Sequence, residues 1–419
     1  MRRFTQVLTG IAVLSLLVAA APADAQKAPS AIKIGTLYAS SGTFPGLSMP
    51  SYYGMRIWVD AVNAKGGAYV KPFHKKIPVK LIAYDDQSNT ATAATLYTEL
   101  ITQDKVNILV SDAGSVLTSV AVPIAKSHKM LLIDHDGTGP MFFTKDNPYI
   151  VLADLPVSSI WPRYIADFLT TDGVKLGIRR IAILYATNDF TGSFAVGLKG
   201  FIDAAKAPVK IVYFHGVPTS TSSYTVLIAN IRATHPDAVV EMGYPNNDIA
   251  YLRDLEDSGV KFKWQFALFP GFEPELMMRT VGLKGLEGVF TYLPSSVVHY
   301  KVGFGMSLPQ YRRAWDKKYG ESKVAFGFDA VAGYNTGLVL QKALATTDSM
   351  AQLALRKAIF AQSGKLKTID GTFRLNAEGA QIGEITPLGQ VEPNGKGGEK
   401  FVIVYPHKLA TGKPVYPTK

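Results

Sequence analysis

Short apolar runs and longer stretches of helical period alternate along the chain from residue 31 onward. Residues 31–37 (Ala-Ile-Lys-Ile-Gly-Thr-Leu) are rich in strand-forming side chains and predict a first strand. Over residues 52–64, Met55, Trp58, Val59 and Val62 recur at helical spacing, and Lys65-Gly66-Gly67 stops the segment. Residues 79–84, 107–110 and 130–133 predict further strands with helix-like stretches between them. A second series follows at 181–185, 211–214, 238–241 and 266–269, and one last strand is expected at 401–405 after the glycine-rich turn that starts at Pro393. Strand, helix, strand in succession argues for parallel sheets covered on both faces. With a break near residues 153–159, the pattern predicts an α/β chain of two doubly wound lobes.

The segment ahead of the first strand has a different character. Met1-Arg2-Arg3 is a basic start, residues 7–20 form an apolar run broken only by Thr9, Gly10 and Ser15, and Ala23-Asp24-Ala25 has the small-x-small pattern of a cleavage site. The run is shorter than the about 20 apolar residues of a bilayer span. It reads as a cleaved secretory signal over residues 1–25, with Gln26 opening the mature chain. Cleavage takes the net charge from +11 to +10 (11 − 2 + 1) by removing Arg2, Arg3 and Asp24. No later stretch holds 18 consecutive apolar residues. The expected location is the periplasm.

Composition narrows the chemistry. A chain of 419 residues with 47% hydrophobic and 18% charged residues has material for two well-buried cores. It contains no cysteine, which excludes disulfides, thiolate metal sites, thiol catalysis and a lipidated N-terminal cysteine. The seven histidines are scattered singly, and no HExxH, P-loop, GxSxG or strand-linked GxGxxG motif occurs. Asp85-Asp86 at a strand end reads as a solvated pair rather than an acid–base couple. Positive charge is spread along the chain, so a nucleic-acid surface is not expected. No cofactor or metal is expected, and the weight falls on binding rather than catalysis.

Several landmarks then follow one another in order. Ile32-Lys33-Ile34-Gly35 precedes Ser41-Gly42; a helix ends in Asn63-Ala64-Lys65-Gly66-Gly67; residues 77–86 run from Ile-Pro-Val into Asp85-Asp86. Asn188-Asp189-Phe190-Thr191-Gly192, Leu286-Glu287-Gly288-Val289 and Asp370-Gly371-Thr372-Phe373 come later. Together, over residues 32–405, they resemble the type I periplasmic solute-binding proteins of the leucine/isoleucine/valine-binding branch. The resemblance implies two lobes joined by a three-crossover hinge, with crossings near Leu155, Leu293 and Asp370. Lobe 1 would hold residues 26–155 and 294–370, and lobe 2 residues 156–293 and 371–419. It also implies a monomer that does no chemistry, closes on a small carboxylate ligand and docks on the membrane permease of an ABC importer.

The same resemblance nominates ligand contacts in loops that follow strands. Ser115, opening a helix over 115–127, and Thr138 match the family's carboxylate-binding hydroxyls; read from the residues alone, Ser115 could equally cap its helix. Tyr244 matches an aromatic that covers the ligand, and Ser41, Phe44, Phe190 and Thr191 would shape the wall. Asp136 stands where the family offers only a backbone carbonyl, and could receive an ammonium or cap its turn. Gly271 falls where amino-acid binders carry the acidic partner of the α-ammonium, with Glu273 two residues on as a replacement. The expected ligand is therefore a hydrophobic or branched-chain amino acid, or an amine-free aromatic or aliphatic acid. An exported α/β hydrolase is the rival from another class, and it would require His135 to reach Ser115. A sensory ectodomain is a third reading.

Overall fold

In the computed structural model the described residues are 27–320, 322–384 and 386–418. The expected signal sequence and Gln26 lie outside them. Strands β1 (Ile32–Tyr38), β2 (Val79–Asp85), β3 (Ile108–Val110), β4 (Leu132–Asp134) and β5 (Ile150–Leu152) form one sheet in the order β2-β1-β3-β4-β5, every pair parallel. Alternation sorts their side chains. Ile108 and Val110 join a core on one face, Leu109 a second core on the other.

The second sheet comprises β6 (Arg180–Ala186), β7 (Lys210–Val217), β8 (Ala238–Met242), β9 (Trp264–Phe266), β10 (Phe290–Tyr292), β11 (Leu388–Pro393) and β12 (Glu399–Tyr405). Its order is β12-β11-β10-β9-β8-β6-β7, parallel from β7 to β10, with β11 and β12 added antiparallel. Two doubly wound lobes are thus present. Among the described residues no helix is long and apolar enough to cross a membrane.

Six helices matter for the site: α1 (Pro45–Asn63), α2 (Gly114–Ser127), α3 (Asp189–Ala205), α4 (Pro245–Ser258), α5 (Phe269–Phe272) and α6 (Phe328–Thr346). Helix α1 begins seven residues ahead of the apolar periodicity because Pro45 occupies its first turn, where a missing N–H costs nothing. It crosses α6 at close range. A Cβ on Gly333 would stand 1.9 Å from the Ser51 carbonyl, and one on Gly54 2.2 Å from that of Ala330.

Three segments differ from expectation. The strand expected at 266–269 lies at Trp264–Phe266, and Phe269 opens α5 instead, since Pro270 cannot donate within a central strand but suits a first helical turn. Strand β11 was not legible: Gly389 and Pro393 weaken its pattern, and pairing with β12 forms it. At and beyond Asp370, where the resemblance puts the third crossing, the chain still packs on lobe 1. Phe373 and Leu375 are still buried in the lobe 1 core, and the Leu152 N–H donates to the Gly379 carbonyl at 2.9 Å along the edge of β5. The first and second passages leave β5 and β10 directly, at the residues that follow Leu152 and Tyr292.

Candidate functional site

The carboxyl ends of β3 and β4 face those of β8 and β9 across the gap between lobes, and the loops that follow these strands meet there. Among them is the start of α2. Gly114 has φ +77°, which turns the chain from the β3 loop into the helix, and its N–H donates to Asp136 Oδ1 at 2.8 Å. Asp136 therefore caps the helix as well as facing the cleft. Ser115 does not cap α2; its Oγ accepts from the Gly139 N–H at 3.1 Å. From lobe 2, Tyr244 lies over Gly114 with its hydroxyl toward the Ser115 and Val116 amides, lacking a hydrogen bond of good geometry. Asn247 Oδ1 accepts from the Tyr244 N–H at 3.1 Å and fixes that residue at the start of α4.

These groups surround one cavity, lined also by Leu47, Thr138, Leu155, Trp161, Phe190, Leu268, Phe269, Phe272, Phe328 and Asp329. Its rings form a continuous wall. Phe44 meets Tyr244 edge-on at 5.2 Å between centroids, Tyr244 meets Phe190 at 5.7 Å, Phe190 meets Trp161 at 5.5 Å, Trp161 stacks on Phe272 at 5.6 Å, and Phe272 meets Phe328 at 5.2 Å. The cavity measures about 30 Å³, enough for a water or two. The lobes are closed, and the Met141 N–H reaches Asp189 Oδ2 across the gap at 3.3 Å.

The polar content of the wall is acidic. Glu273 is fully buried, and its Oε1 accepts from the Asp329 N–H at 3.1 Å while Oε2 has no partner. Asp329 lies against both Asp136 and Glu273, its Oδ2 also unpaired. Burial pushes the Glu273 carboxyl up to about 8, and burial together with the Glu273 and Asp136 charges holds Asp329 far above the usual carboxylate range. Among the described residues, no Lys or Arg lines the cavity.

Of the residues nominated from sequence, Asp136, Thr138, Phe190 and Tyr244 line the cavity, and Phe44, Ser115 and Glu273 stand directly behind it. Three lie elsewhere. Ser41 is exposed in the loop after β1, where its carbonyl accepts from Ser88 Oγ at 2.6 Å. Thr191 turns its hydroxyl back to the Ala186 carbonyl. Gly271 faces the sheet rather than the cleft: its N–H donates to Thr291 Oγ1 at 3.0 Å, and a Cβ there would stand 2.0 Å from the Tyr292 carbonyl. Asp86, expected in solvent, is buried and accepts from the Ser88 N–H at 2.9 Å.

Sequence reasoning missed Asp329, Trp161, Phe272 and Phe328. An Asp in the first turn of a helix reads as a partner for the helix dipole, so nothing distinguished Asp329 from that role. The pair required by hydrolysis is not assembled. Ser115 Oγ is engaged by Gly139, whereas His135, driven toward the neutral form by burial, has Nε2 3.6 Å from Asp136 Oδ1.

The model of the family described as periplasmic binding protein matches residues 31–398. The Leu/Ile/Val-binding protein homolog 7 of Brucella abortus (strain 2308) is 23% identical over 411 residues, covering 95% of this chain and 97% of that protein. The branched-chain amino acid transporter substrate-binding protein LivJ of Streptococcus pneumoniae, solved in complex with isoleucine, superposes with a TM-score of 0.71 at 17% identity over 90% of this chain and 100% of its own. A solute-binding protein of an ABC transporter from R. palustris, solved in complex with benzoate, gives 0.72 at 17% identity over 89% of this chain and 96% of its own.

Proposed function

Since the chain belongs to the periplasmic binding protein family, a family of solute binders rather than catalysts, we propose that it is the exported, periplasmic component of an ATP-driven importer and captures a hydrophobic amino acid. The observation that carries this reading is the meeting of Asp136, Glu273 and Asp329 with the Ser115 and Thr138 region in one aromatic-walled cleft. The α-carboxylate sits on the Ser115 and Thr138 hydroxyls and the amides that open α2, where the helix dipole favours an anion. The ammonium takes the carboxyl cluster as its partner, which a buried cation requires. The side chain lies among Trp161, Phe190, Phe272 and Phe328. The closed cavity is too small to admit such a solute, so the lobes part to load and close again before docking on the permease.

A second reading, an amine-free aromatic acid, draws support from the ring wall and from the benzoate-bound relative. The acidic cluster opposes it, because an anion would enter beside three carboxyls with no basic side chain in the lining. Calorimetric titration with isoleucine and phenylalanine, each against its deaminated analogue, separates the two. The amino acids should bind more tightly, and Asp329→Asn should weaken them by about 2–5 kcal/mol as a buried charge loses its partner. Tighter binding of the amine-free analogues by the wild type would overturn the amino-acid reading.

A further inference from the structure

Helix α6 opens without a cap of its own. Its N-cap is Gly327, which has no side chain to offer, so the N–H groups around the first turn need acceptors from elsewhere. Lobe 2 supplies two. Glu273 Oε1 accepts from the Asp329 N–H at 3.1 Å, and Glu275 Oε2 accepts from the Phe326 N–H at 2.9 Å, just ahead of the helix. Both carboxylates stand at the start of the lobe 2 helix Pro274–Thr280, whereas Phe326 is packed in the lobe 1 core. Negative charge is also what the start of a helix favours. Gly327 leaves room for this approach: its backbone is extended, and a Cβ there would stand 1.9 Å from Glu273 Oε2.

Glu275 is held on its other side as well. Its Oε1 accepts from Arg312 Nη1 at 2.6 Å, and Arg312 belongs to the lobe 1 helix Leu308–Tyr319. The same guanidinium stands 4.5 Å from the centroid of the Phe326 ring. Four residues along the lobe 2 helix, Arg279 Nη1 donates to the Lys323 carbonyl at 3.1 Å. A half-exposed ion pair contributes little alone. Here it is one of four polar bonds that run from residues 273–279 of lobe 2 to lobe 1. A rotation that parts the lobes pulls on all of them together. Glu275, Arg279, Arg312 and Phe326 do not line the solute cavity.

We propose that Glu275, with Glu273, Arg279 and Arg312, forms a latch that keeps the closed form populated before any solute enters. The latch acts on capture through closure and not through contact, because apparent affinity scales with the fraction of the protein in the binding conformation. Glu275 is thus a positioning residue. Glu273 ties the latch to the cleft, since it also lies against the Asp329 carboxyl. The proposal is independent of which solute the cleft accepts.

The test measures the separation of the lobes in the full mature chain without solute. The chain has no cysteine, so Val196→Cys on α3 of lobe 2 and Leu353→Cys on the lobe 1 helix Gln352–Phe360 can carry two nitroxide labels. Both positions are exposed, at 64% and 51%. Pulsed electron–electron resonance then gives the ratio of closed to open separations. Glu275→Ala should lower that ratio at least about tenfold, since its carboxylate loses two hydrogen bonds to lobe 1. Glu275→Gln keeps an acceptor for the Phe326 N–H and should fall between. Molar salt should lower the ratio in the wild type and leave Glu275→Gln nearly unchanged. Gly327→Ala, whose methyl would push the Glu273 carboxyl off the Asp329 N–H, should lower it as well. Circular dichroism and Tm check that each variant is folded; Glu275 is half-exposed and its replacement leaves both cores intact. An unchanged ratio in Glu275→Ala, or a wild type without the closed separation, would overturn the latch.

Discussion

Changing pH between 6 and 8 titrates the Glu273 carboxyl, which stands directly behind the cavity wall. In the solute-free protein burial pushes Glu273 up to about 8, so at pH 6 its carboxyl is protonated. If the ligand's ammonium pairs with the Glu273 carboxylate, that proton must leave first, and affinity then depends on the ionised fraction. For a group titrating at about 8, that fraction rises by more than an order of magnitude from pH 6 to pH 8, a gain of about 2 kcal/mol. A free amino acid keeps its ammonium throughout this window, so the change belongs to the protein. The sign is definite: amino-acid affinity rises with pH up to about 8 and then levels. Isothermal titration at half-unit intervals measures it. Repeating the titration at pH 6.5 in two buffers of different ionisation enthalpy should show close to one proton released per ligand bound. An amine-free acid should show the reverse trend, weakening as the cluster gains negative charge. Glu273→Gln should flatten the profile. Amino-acid affinity that stays within twofold from pH 6 to 8, or that falls, would refute the placement of the ammonium on this cluster.

Ser115→Ala and Thr138→Ala should each weaken solute binding by about 1.5–3 kcal/mol, the value of a hydrogen bond to a charged group; unchanged affinity in the double variant, measured by calorimetry, would remove the carboxylate from this position. The raised Glu273 pKa is also a stability statement: the stabilisation is full below the usual carboxyl range and is lost as pH rises through about 8. Wild-type Tm without solute should therefore fall between pH 5 and 8.5, and Glu273→Gln should fall less; parallel curves would sink this assignment. Gly271→Ala, whose Cβ would stand 2.0 Å from the Tyr292 carbonyl, should cost about 1–3 kcal/mol in urea unfolding through overpacking. Wild-type stability there would show that α5 has room to shift.

The alternation of strand and helix was legible because parallel strands buried on both faces must be almost wholly apolar, and their covering helices must carry a stripe. Residues 31–37 and 181–185 meet that demand and fold as expected. Strand β11 does not advertise itself, because an antiparallel strand with Gly389 and Pro393 owes its shape to β12 beside it. The resemblance nominated Thr138, Phe190 and Tyr244, and all three line the cavity, since each stands just after a strand whose end opens on the cleft. Ser41, Thr191 and Gly271, nominated in the same way, lie off the cavity, where local hydrogen bonds or close packing turn the residue away.

The chain's own order of residues therefore determined the fold class, the two lobes and the strand-end loops that build the site, because backbone burial imposes a period that any reader of the sequence can see. The sign of the site was settled only in three dimensions. Asp136, Glu273 and Asp329 stand on segments far apart in the chain; the resemblance raised Asp136 and Glu273 one at a time, and Asp329 reads as a partner for its helix dipole. The buried carboxyls of Asp154, Asp370 and Glu384 share this character: Asp154 meets the other two although it stands far from them in the chain. Periodicity records what each element buries, but it carries no record of which charges distant elements bring together.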